Sequence, residues 1–146
     1  MATTTAKIGF VGLGHMGGNM AARFLAAGYT VSGESRDRGE ADDLVHQGLE
    51  WRDTPREVAE AADVLITSVP NDDVLKSVAS GSDGILAGLT ESKIWIDMST
   101  VSPRASREVA KRVQDQGAAM LDAPVSGSCR SSASPRTSAR TARGWC

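Results

Sequence analysis

The chain has 146 residues, 40% apolar and 23% charged, with a formal net charge of −2. That is ordinary for a globular protein and long enough for one domain with its own core. No apolar run approaches the roughly 20 residues needed to cross a bilayer, residues 1–7 lack the basic and apolar regions of a signal peptide, and two cysteines, Cys129 and Cys146, give neither a disulfide framework nor a zinc site, so a reducing cytoplasm is the expected compartment.

Strands and helices alternate along the chain. An apolar strand over residues 6–11 runs into Gly12-Leu13-Gly14-His15-Met16-Gly17, and a helix over 16–27 follows, with Met16, Met20 and Phe24 at helical spacing and Gly28 as its stop. A second strand is expected over 29–34 and a short helix over 40–47 that ends at Gly48. Residues 48–51 form a further strand. Thr54-Pro55-Arg56-Glu57 reads as a capping box with proline at the first helical position, opening a helix to Ala62. Residues 63–69 make a buried strand closed by Pro70-Asn71, residues 72–79 a helix, and 93–98 a strand. Ser102-Pro103 opens a helix whose Ala105, Val109 and Val113 share one face and which Gly117 ends; residues 118–121 are the last strand.

This alternation predicts an α/β fold: a doubly wound parallel sheet of about six strands, of Rossmann type, with its ligand beyond the carboxyl ends of the strands. Strand, glycine turn and helix are the context a dinucleotide-binding fingerprint requires. Gly12 permits the tight turn, Gly14 lets the backbone approach a pyrophosphate, Gly17 lets helix and strand pack closely, and the helix N-terminus offers free N–H groups to the phosphates. A glycine turn that merely packs tightly is the alternative.

The body and the end of the chain differ. Residues 1–128 hold all 18 acids and 12 of the 16 Lys and Arg, a net −6, while residues 129–146 carry four arginines and no acid, a net +4. The second stretch is rich in Ser, Arg, Thr and Ala without hydrophobic period, and a disordered tail is expected there. Four scattered arginines on an acidic body are a poor phosphate footprint, so nucleic acid is not an expected partner. The expected division is a dinucleotide-binding domain at 1–128 and a tail at 129–146.

Three more segments follow strand ends: Val69-Pro70-Asn71, Asp97-Met98-Ser99-Thr100-Val101-Ser102-Pro103, and Asp122-Ala123-Pro124-Val125-Ser126-Gly127-Ser128. With the glycine turn, they make the chain resemble the β-hydroxyacid dehydrogenases, a family that includes 3-hydroxyisobutyrate dehydrogenase and the glyoxylate/succinic semialdehyde reductases, with 6-phosphogluconate dehydrogenase more distant. The resemblance covers about residues 6–128 and implies hydride transfer between a nicotinamide and a small β-hydroxy acid or semialdehyde. It implies cofactor contacts at Gly12, Leu13, Gly14, His15, Met16 and Gly17, at Val69 and Pro70, and at Thr100 on the nicotinamide side. Substrate carboxylate contacts are implied at Ser126, Gly127 and Ser128, the last standing where many members have a second glycine.

The family's catalytic lysine and its helical C-terminal domain, through which relatives oligomerise, follow the substrate loop. No residue of these 146 is matched to that lysine, so the chain is expected to be inactive alone. The abrupt change after Ser128 suggests a frameshift product. A non-catalytic dinucleotide-binding module is the alternative reading.

The choice of dinucleotide rests on Glu34-Ser35-Arg36. Glu34 lies near the spacing of an acid that bonds a ribose diol and favours NAD. In the family register Ser35 followed by Arg36 favours NADP, because a guanidinium fork suits a 2′-phosphate. NADP is the expected preference, with NAD left open. His15 reads as a loop residue and His46 as surface, and the paired acids Asp42-Asp43 and Asp72-Asp73 lack the spacing of a metal loop.

Overall fold

The central strand of the sheet is the first one in sequence. In the computed structural model, which describes residues 5–125, β1 (Ile8–Val11) is flanked by β2 (Val31–Glu34) and β4 (Val64–Thr67). β3 (Glu50–Trp51) lies outside β2, and β5 (Ile94–Asp97) and β6 (Ala119–Asp122) lie outside β4, giving the order β3-β2-β1-β4-β5-β6 with every pair parallel. This is the doubly wound order, and its switch point falls between β1 and β4.

Parallel strands must be covered on both faces, and the alternation of side chains does this here. Phe10 and Ile66 face one layer, with Leu13, Met20 and Leu44 of the elements packed over them. Val11, Leu65 and Trp95 face the other, beneath Val58, Leu75, Val109 and Val113. The first layer is made by α1 (His15–Ala26) and α2 (Asp42–His46). The second is made by α3 (Pro55–Ala61), α4 (Asp72–Ala79), α5 (Ile85–Gly88) and α6 (Pro103–Asp115). A Cβ on Gly9 would stand 2.7 Å from Val58 Cγ1 and 2.8 Å from Ala62 Cβ, so the glycine lets α3 sit directly on β1.

The helices begin where short polar side chains accept a first-turn N–H. Thr54 accepts from Glu57, Asn71 from Val74 and Ser102 from Ala105, each cap worth about 1 kcal/mol. The expected capping box differs in one bond: Glu57 reaches back to the N–H of Asp53 at 2.9 Å, one residue before the cap. Two further differences have local causes. The helix expected over 40–47 is a 3-10 turn, Arg38–Ala41, followed by α2, because Asp37 caps the N–H of Gly39 and starts the turn early. α5 was not expected. Its Ile85 and Leu86 are buried, and Gly88 packs so closely on α3 that a Cβ would strike the carbonyl oxygen of Arg56. Five strands are two or three residues shorter than the runs that predicted them, and the last, expected over 118–121, is shifted by one residue to Ala119–Asp122. The tail expected over 129–146, together with Ser126, Gly127 and Ser128, lies outside the described residues.

Candidate functional site

A cavity of about 500 Å³ opens at the carboxyl ends of the strands, beside the switch point. β1 and the turn after it contribute Val11, Gly12 and Gly14; the end of β2 contributes Glu34, Ser35 and Arg36, followed by Asp37 and Glu40. Across the cavity stand Ser68, Val69 and Pro70 of the β4–α4 connection, with Val74 and Val78 from one face of α4.

The turn from β1 to α1 is built by close approach. Gly12 has φ +95°, a left-handed conformation that a side chain resists. A Cβ there would also run into the carbonyl oxygen of Ser68. A Cβ on Gly17 would strike the carbonyl oxygen of Gly12, so these two glycines fold the turn against itself and against β4. Gly14 is different: its backbone is extended (φ −63°), and a Cβ would meet nothing within 4 Å. The space in front of Gly14 belongs to the cavity. Gly14 is also the N-cap of the 12-residue α1 and carries no capping side chain, so the first-turn N–H groups lack a side-chain acceptor. An open approach, backbone donors and a helix dipole fit the pyrophosphate of a dinucleotide.

The expected site residues divide by position. Gly12, Gly14, Ser35, Arg36, Val69 and Pro70 converge on the cavity. Leu13 points into the core, 2% exposed and packed over Gly33. His15 lies on the adjoining groove with Asn19 and Glu40. Met16 is half-buried, Gly17 is buried inside the turn, and Thr100 is exposed. Neither Met16, Gly17 nor Thr100 lines the cavity wall.

Three features escaped the sequence reading. One is Glu40, whose carboxylate accepts from the Ser35 hydroxyl at 2.8 Å. Another is Ser99, whose hydroxyl accepts the N–H of Val69 at 2.9 Å and so fixes the loop facing the glycine turn. The last is the apolar wall of Val74 and Val78, legible in principle as an i, i+4 pair on a helix. Burial pushes the Glu34 carboxyl above its ordinary value. Among the described residues there is no group of three or more His, Cys, Asp or Glu arranged to hold a metal ion, and no helix long and apolar enough to cross a membrane.

The glycine turn, the strand order and the position of the cavity together define a dinucleotide-binding α/β domain. Residues 7–137 match the family described as the NAD binding domain of 6-phosphogluconate dehydrogenase, and the chain belongs to that family. An uncharacterized oxidoreductase of Bacillus subtilis, YfjR, is 41% identical over 121 residues, which are 83% of this chain and 42% of the relative. Among solved structures, the 3-hydroxyisobutyrate dehydrogenase of Mycobacterium tuberculosis with L-serine superimposes with a TM-score of 0.78 at 34% identity, covering 85% of this chain and 42% of that one. Psf3 in complex with NADP+ and 2-OPP gives a TM-score of 0.77 at 33% identity, covering 82% and 43%. The chain thus corresponds to the NAD(P)-binding domain of hydroxyisobutyrate dehydrogenase-like oxidoreductases and spans about two fifths of the length of these relatives.

Proposed function

We propose that this chain binds NADP(H), and less tightly NAD(H), as the cofactor-binding part of an oxidoreductase that moves a hydride between the nicotinamide and a small β-hydroxy acid or semialdehyde. The observation that carries the reading is the pairing of two closed glycines with an open one: Gly12 and Gly17 have no room for a side chain, while Gly14 has room and leaves it empty. Val69 and Pro70 would lie along the dinucleotide, Thr100 toward its nicotinamide, and Ser126, Gly127 and Ser128 toward a substrate carboxylate. When bound, the nicotinamide supplies the hydride; the residues of this chain bind and orient it.

The preference for NADP(H) is supported by Arg36, an exposed guanidinium on the cavity wall that forms no ion pair with a described residue. The low cysteine count supports a reducing cytoplasm as its compartment. The 146 residues span two fifths of the relatives, and cofactor binding is the part of the activity proposed for them. Calorimetric titration of the full chain with NADP+ and NAD+ tests the proposal. Saturable one-site binding is expected, and heat of dilution alone for both nucleotides would refute it.

A further inference from the structure

We infer that Glu40 is a specificity-determining residue that weakens 2′-phosphate binding in this cleft and so sets how far NADP(H) is favoured over NAD(H); the inference rests on the dinucleotide reading above. Glu40 reaches the site through a local fold. Asp37 Oδ1 accepts the N–H of Gly39 at 2.9 Å, and the N–H of Glu40 donates to the carbonyl of Asp37 at 3.2 Å. This tight turn brings the chain back on itself, so that Glu40 Oε2 meets the Ser35 hydroxyl at 2.8 Å, on the same cavity wall as Arg36.

Two consequences follow for a ligand. A hydroxyl has one proton, and that of Ser35 is committed to Glu40, so a phosphate can take it only by displacing the carboxylate. A 2′-phosphate arriving beside Arg36 also brings up to two negative charges against that of Glu40. A ribose 2′-hydroxyl carries no charge and can itself donate to a carboxylate. Arg36 and Glu40 therefore act in opposite senses on the one group that distinguishes the two dinucleotides. Two other acids line the same cavity, Glu34 at the end of β2 and Asp37, whose Oδ1 accepts the N–H of Gly39, but the Ser35 hydroxyl donates to Glu40.

Glu40→Gln separates charge from shape, because the amide oxygen can still accept from Ser35 and the exposed position tolerates the change. The full chain and E40Q are each titrated with NADP+ and with NAD+. The variant is expected to bind NADP+ about tenfold more tightly and NAD+ within about twofold of the parent, with the gain shrinking as salt is raised. An unchanged NADP+/NAD+ affinity ratio, including an equal gain for both nucleotides, would overturn the role of Glu40 while leaving the dinucleotide reading intact. A parent chain that binds neither nucleotide would overturn both.

Discussion

Thr67 and Asp97 are register partners on β4 and β5, and the Thr67 hydroxyl donates to Asp97 Oδ1 at 2.8 Å with both residues fully buried. Thr67 Oγ1 in turn accepts the indole N–H of Trp95 at 2.9 Å, and Oδ1 also accepts the N–H of Ser99 at 3.1 Å. Asp97 Oδ2 has no partner among the described residues. A buried carboxyl with one idle oxygen depends on the bonds to the other. Ser99, anchored on this carboxylate, holds Val69 on the cavity wall.

Thr67→Val is nearly isosteric and strips Asp97 and Trp95 of a shared partner. It is expected to destabilise the fold by about 1–3 kcal/mol, read from urea unfolding by tryptophan fluorescence. A loss below about 0.5 kcal/mol, the range of an ordinary surface substitution, would show that the bond contributes little.

Two neighbouring glycines are expected to respond in opposite ways to alanine. Gly12→Ala forces a side chain into the left-handed region and against the Ser68 carbonyl, so the melting temperature should fall markedly, by a free energy of about 2 kcal/mol or more. Gly14→Ala has space and permitted backbone angles, so the melting temperature should hold while dinucleotide binding drops at least tenfold, an order-of-magnitude figure for blocked backbone approach. Retained binding in Gly14→Ala would place the pyrophosphate elsewhere.

Arg36→Ala should weaken NADPH binding by about ten- to a hundredfold, the range for losing a charge-assisted guanidinium–phosphate contact, and NADH binding by less than about threefold. Fluorescence titration of both reduced nucleotides checks this. Equal losses would mean that Arg36 stacks on the adenine instead of meeting a phosphate.

The acid limb of stability should depend on Asp72. Ser102 donates to its carboxylate from the hydroxyl at 2.5 Å and from the backbone N–H at 2.8 Å, tying α4 to the start of α6. The hydroxyl bond first, then the backbone bond, holds the Asp72 carboxyl below its ordinary value. A carboxyl depressed in the folded state contributes stability that is present above the ordinary aspartate range and is lost as pH falls through the folded value. Asp72→Asn should therefore lower the urea midpoint at pH 7 more than at the acid end of the folded range. A loss independent of pH would remove the carboxylate charge from the account.

The sheet and its cavity were legible because they depend on local signals. Parallel strands covered on both faces appear as apolar runs, such as Ile8-Gly9-Phe10-Val11, and the helices stop at Gly28, Gly48 and Gly117, each with positive φ. The glycine turn carried the rest of the site. What stayed hidden depends on register or on a tight turn. The Thr67–Asp97 bond joins residues thirty apart and exists only once β4 and β5 are aligned. Glu40 faces Ser35 because a 3-10 turn interrupts what periodicity alone reads as helix. In the Asp97-Met98-Ser99-Thr100 segment the resemblance marks Thr100, while the bond from Ser99 to the cavity wall needs β4 and β5 side by side and has no local signal.

The central place of β1 has a consequence for synthesis. Its partner β4 pairs with it along its whole length, and the N–H of Lys7 donates to Asp63, 56 residues later. Contacts that span so much chain are slow to form. On the ribosome, β1 keeps one side unpaired until Val64–Thr67 has followed it out, and Val11 lacks most of the layer that covers it in the interval. The strand that will be most deeply enclosed is the one that waits longest in the open, and a nascent chain stalled before Thr67 would present it to whatever is nearby.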